Sequence, residues 1–176
     1  MIRSSLLAAA LFCMPPDAMA QTSRAVTLEA DDGTRIVIAE LTTDDTGAYR
    51  MEMHADAFSE YFLSMRPFKC IDGARKTWCH VPYPYENARN ISQDLTDLEY
   101  DLLFVWKGTT DYGINMWNGI YYRLTPTEHG FDGTLHEIDM GLLAVPPAPG
   151  VLRPLRDQDI VESDPEGHWL PRLVIE

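Results

Sequence analysis

The run "AYRMEMHA" at residues 48–55 constrains this chain more than any other stretch. Tyr49, Met51 and Met53 fall on one face, and Arg50, Glu52 and His54 on the other. That is the period of two that a half-buried β-strand requires. The pattern recurs along the chain. "AVTLEADDGTRIVIAEL" reads as two strands joined at Asp32-Gly33, a hairpin signature. "AFSEYFLSMRPFKC" reads as one long extended segment, with Asp56 able to cap a short helix at its start. In "LEYDLLFVWKG" the residues Leu98, Tyr100, Leu102, Phe104 and Trp106 share a strand face. A further hairpin runs over residues 116–124 and 131–140 around His129-Gly130, and "HWLPRLVIE" ends in a strand pattern. An unpaired edge is a liability, so Leu173–Ile175 is expected to pair near Val26–Leu28 and close the sheet. Helix-period runs are scarce; "ENARNISQDLTDL" is the best candidate for a short one. The chain is therefore expected to be all-β and mostly antiparallel, a small meander barrel or sandwich of about eight or nine strands with at most one short helix.

The N-terminus, "MIRSSLLAAALFCMPPDAMA", has a basic n-region at Arg3, a short apolar run ended by Pro15-Pro16, and the small-x-small sequence Ala18-Met19-Ala20. It reads as a secretory signal peptide over residues 1–20. Residues 21–176 then form one domain, of lipocalin-like size, with room for a proper core. The formal net charge of −13 opposes binding to nucleic acid or to anionic lipid. No stretch reaches the length of a membrane helix, and the charged strand faces argue against a lipid-facing barrel. A periplasmic or secreted location follows from the leader.

Signal cleavage removes Cys13 and leaves Cys70 and Cys79. An even count in an oxidising compartment reads as a disulfide. Asp72-Gly73 marks a turn between two strand-like flanks, which would bring the two cysteines together. A Cys-x-x-Cys redox motif is absent, and Cys79 and His80 on one strand would point to opposite faces rather than to one metal ion.

Catalytic signatures are missing: no Gly-rich phosphate loop, no G-x-S-x-G and no H-E-x-x-H. No cofactor or metal is called for. His129, His136, Glu137 and Asp139 could assemble a metal site across a hairpin, but they read equally as a polar strand face. Asp94, Asp97, Glu99 and Asp101 read as a solvated acidic edge, with a hard-cation site or an acid–base pair as the rival readings. The aromatic residues stand out more. Trp106, Trp117 and Tyr121 lie on the central strand patterns, and Tyr83 and Tyr85 alternate with Pro82 and Pro84 in a stiff loop. Together they are the candidate lining and lid of a cup for a small organic ligand.

The segments "YFLSMRPFKC", "WCHVPYPYE", "DLEYDLLFVWKG", "MWNGIYYRL" and "HWLPRLVIE" resemble a group of exported bacterial proteins to which no activity is assigned. The resemblance spans most of the chain from about residue 58. It implies a Gram-negative envelope setting and carries over no catalytic residue. The functional expectation is a non-catalytic protein that binds a small apolar or aromatic ligand or an envelope protein partner. The alternative is a small hydrolase or isomerase using carboxylates or His80.

Overall fold

The computed structural model describes residues 20–63 and 66–176, so the signal-peptide reading falls on residues that lie almost wholly outside it. The chain forms one curled, antiparallel half-barrel sheet. In chain order its strands are β1 (Gln21–Glu29), β2 (Arg35–Asp44), β3 (Tyr49–Met53), β4 (Ser59–Leu63), β5 (Arg66–Asp72) and β6 (Lys76–His80). A short helix, α1 (Thr96–Asp101), precedes β7 (Phe104–Gly108), β8 (Gly119–Pro126), β9 (Phe131–Ile138), β10 (Ile160–Glu162) and β11 (Arg172–Ile175). The spatial order is β3-β2-β1-β11-β9-β8-β7-β6-β5-β4, and β10 pairs with β9 beyond the end of β11. The all-β expectation is met, with more strands than the sequence patterns suggested.

The expected terminal pairing is present, with Val26 opposite Ile175 and Leu28 opposite Leu173. It joins the N-terminal strands to the body rather than closing a barrel, because β3 and β4 remain the two lateral edges. Gly130 makes the join possible: a Cβ there would sit 1.7 Å from the carbonyl oxygen of Ile175. The expected hairpin at Asp32-Gly33 forms, with Gly33 at φ +87° in the left-handed region that glycine tolerates. Ile38 is an extra residue in β2, opposite the step from Val26 to Thr27. This bulge lets Ile38 and Ala39 both be buried, breaking the simple alternation.

Two readings are corrected. The single extended segment expected around "EYFLSMRPFK" is two strands, β4 and β5, after a 3₁₀ turn at Ala55–Ala57. The strand expected from Leu98 onward is helical from Thr96 to Asp101, and β7 begins only at Phe104. The helix turns Leu98 and Leu102, four residues apart, into the concave core beside Trp78, Phe104, Ile120 and Tyr122. Tyr100 and Leu103 pack into a second cluster with Tyr83, Tyr121, Ile138 and Met140. Val105, Cys70 and Cys79 belong to a third cluster with Phe68.

Cys70 and Cys79 face each other directly across β5 and β6 and are disulfide-bonded, as expected. Their Cα atoms are 3.9 Å apart, below the usual span of about 4.4–6.8 Å. An antiparallel ladder sets directly opposed Cα atoms about 4.5–5.5 Å apart, so this pair is closer than its ladder alone requires.

Candidate functional site

A groove of about 760 Å³ opens beside the ends of β5 and β6. One wall is the loop Val81–Tyr85 and another is Met116, just before β8. The floor includes Met140, Leu143 and Ala144, which follow β9. Pro67, Phe68, Lys69 and His80 complete the lining. Each proline holds the residue before it in extended geometry, so Tyr83 and Tyr85 emerge on the same side of the loop. Their rings pack edge to face, with centroids 5.5 Å apart. Tyr83 continues the stack onto Tyr100 at 4.7 Å, and Tyr100 onto Tyr121 at 6.4 Å.

The polar tips of these rings hold the irregular segment that follows β9. Tyr85 donates to the carbonyl of Leu143 at 3.0 Å and Tyr83 to that of Leu152 at 3.0 Å, while the Tyr100 hydroxyl accepts from the Leu155 N–H at 2.9 Å. The hydroxyls are thus spent on backbone, and Tyr83 and Tyr85 offer the groove apolar ring surface. Burial pushes the Tyr100 hydroxyl up to about 12. At neutral pH it stays a phenol.

The five aromatic candidates do not form one cup. Tyr83 and Tyr85 are groove wall rather than lid. Tyr121 lies behind them, 1% exposed, and donates its hydroxyl to Glu99. Trp117 is 74% exposed beside Met116. Trp106 packs against the concave core instead, because the two faces of the sheet separate it from Tyr121. There Trp78 and Trp106 stand opposite each other on β6 and β7, and His168 packs on both at 5.6 and 5.8 Å. The Lys76 ammonium sits 3.9 Å from the Trp106 ring centre, within cation–π range.

The acids read as a solvated edge are buried. Asp97, Glu99 and Asp101 are 3%, 6% and 6% exposed, and each has its own partner. Asp97 pairs with Arg153 at 2.8 Å, and Asp94 binds the same guanidinium. Asp101 accepts from Tyr49 at 3.0 Å, with Asn87 and Arg89 beside it at 3.3 Å. Glu99 accepts from Tyr121 and, at 2.6 Å, from the backbone N–H of Leu124. Burial raises the Glu99 pKa, opposed by those two hydrogen bonds. The acids act as internal braces rather than as a cation site.

His80 shares a 2.8 Å hydrogen bond with the Asp101 carbonyl, and burial lowers its pKa. Its Nε2 and the Glu99 carboxylate engage different partners and do not bond each other. His168 was not singled out by the sequence; it bonds Glu137 at 2.7 Å, and burial lowers its pKa too. Of the possible hairpin metal ligands, Glu137 is taken by His168, Asp139 accepts from the Gly141 N–H, and His136 lies against the Thr134 carbonyl. No cluster of three metal-ligating side chains occurs among the described residues. No family model, curated protein or solved structure matches the chain.

Proposed function

We propose that this is a non-catalytic, exported protein of the bacterial periplasm or extracellular space that binds a small apolar or aromatic ligand in the groove beside Tyr83 and Tyr85. The groove carries the reading. Its volume of about 760 Å³ lies within the range of small-molecule sites. Its walls are proline, tyrosine and methionine surface, fixed by hydrogen bonds that leave few polar groups to satisfy. A concavity of similar size, about 730 Å³, lies beside β2 and β3, but it is more open to solvent, and Arg35, His54 and Asp56 interrupt the apolar surface of Ile36, Val37 and Met53. Export is supported by the Cys70–Cys79 disulfide, which suits an oxidising compartment. No helix among the described residues is long and apolar enough to cross a membrane.

The test is binding of the neutral fluorescent probe N-phenyl-1-naphthylamine to the native protein. Micromolar affinity, about −8 kcal/mol, is expected, and Met116→Asp should abolish it by placing a charge on the wall. Fluorescence that appears only in mild denaturant, or that survives Met116→Asp unchanged, would overturn the reading.

A further inference from the structure

The groove has an electrostatic character that its apolar walls conceal. The chain carries 27 acidic and 14 basic side chains, yet among the described residues no Asp or Glu lines this groove. Its basic lining residues are Lys69 and His80. They are cross-strand neighbours, with Lys69 on β5 opposite His80 on β6. His80 has Nε2 committed to the Asp101 carbonyl, and its ring packs between Phe58 and Phe104. Lys69 is exposed and makes no ion pair within 4.0 Å among the described residues. One carboxylate does face it: Glu60, directly opposite on edge strand β4.

Resting on the reading of the groove as a ligand site, we infer that its ligand is an amphipathic monocarboxylate. The flat apolar body lies between the Tyr83–Tyr85 wall and Met116, and the carboxylate is drawn to the Lys69 end. A neutral arene would leave Lys69, the one cation of the lining among the described residues, unanswered. A dianion would meet no second cation among those lining residues and would sit in the field of an acidic protein. Glu60 competes with the ligand for Lys69 across the strand pair.

The pair 2-naphthoate and 2-naphthamide separates these ideas, because the two share shape and differ in charge. Each is titrated as a competitor against N-phenyl-1-naphthylamine bound to the full chain. Naphthoate should displace the probe at roughly a fivefold lower concentration than the amide, the upper end expected of a partly exposed ion pair. Lys69→Gln should remove that difference and leave displacement by the amide unchanged. Lys69→Arg should preserve it, and Glu60→Gln should widen it. Both positions are exposed, and unchanged melting temperatures would confirm that the variants fold. Equal displacement by acid and amide, or a preference that survives Lys69→Gln, would overturn the carboxylate inference while the groove reading stood. Failure of the probe to bind the native protein would remove both.

Discussion

Two seams of the sheet, one near the termini and one beside the helix, are held by different means. At the seam between β1 and β11, four residue pairs run in unbroken register from Val26–Ile175 to Glu29–Arg172. The ladder is extended by reciprocal hydrogen bonds between Ala25 and Glu176 at 2.7 and 3.1 Å. At the seam between β7 and β8 only Phe104–Ile120 and Val105–Gly119 pair. Beyond them α1 takes the place of strand, and the Glu99 carboxylate accepts the Leu124 N–H that a neighbouring strand would have taken. One seam relies on repeated backbone bonds, so its strength is distributed. The other is extended at one end by the Trp106 N–H bond to the Asn118 carbonyl at 2.9 Å, and at the end beside α1 it relies on a single buried side chain.

The largest effect is expected at the distributed seam. Deleting residues 171–176 removes β11 and with it Leu173 and Ile175, both fully buried. A loss of several kcal/mol in denaturant unfolding is expected, at about 1.5–3 kcal/mol for each buried side chain plus the ladder. An unchanged melting temperature would erase the contrast. At the concentrated seam, Glu99→Ala should cost about 3 kcal/mol, because it leaves the Tyr121 hydroxyl and the Leu124 N–H buried without an acceptor. Glu99→Gln keeps one acceptor oxygen and should cost roughly half as much. If Glu99→Ala were silent, the helix would be filling space and not bracing the seam. Opening the disulfide with Cys70→Ser and Cys79→Ser, away from both seams, should cost about 2–3 kcal/mol in the chain-entropy account.

Acidity sharpens the comparison with the smallest effects. Glu99 has a folded pKa above its ordinary 4.5, so folding favours its acid form. Its contribution is complete below that value and is lost as the pH rises through the raised one. The stability gap between the native chain and Glu99→Gln should therefore narrow with rising pH. His80 and His168 have pKa values lowered from 6.5, and their contribution has the opposite sense. It is complete above 6.5 and lost as the pH falls toward the lowered values. Unfolding curves from pH 5 to 7 should show this loss, and His80→Gln should flatten part of it. No seam made only of backbone bonds has such a profile.

The same contrast explains what was legible in the sequence. Backbone ladders leave a trace, because each face of a strand meets a different environment at every second residue. Tyr49-Met51-Met53 and the pairing of Leu173–Ile175 with Val26–Leu28 were readable for that reason, whereas the hairpin was legible from the Asp32-Gly33 turn and the disulfide from the even count of cysteines. The α1 segment misleads because its apolar residues satisfy both periods. Leu98 and Leu102 are compatible with a strand face and with one side of a helix. Its acids looked solvated because a charge in the sequence does not announce its partner. Arg153 lies far along the chain from Asp97, and Tyr49 equally far before Asp101. The groove was half visible: the Pro-Tyr-Pro-Tyr wall could be read, whereas Met116, Met140 and Lys69 become neighbours only through the fold. Trp106 and Tyr121 could not be assigned to opposite faces without knowing where β7 begins.

The terminal pairing also bears on how the molecule reaches this state. β3, β2 and β1 form a local meander that can assemble early, but they join the other strands only through β11. Val26 and Ile175 are separated by nearly the whole described chain, so that junction closes the longest loop in the protein and pays the entropy of doing so at once. High sequence separation of this kind slows folding. Docking of β11 against β1 is therefore expected to come late, and until it does the β1 edge stands open to any other extended chain nearby.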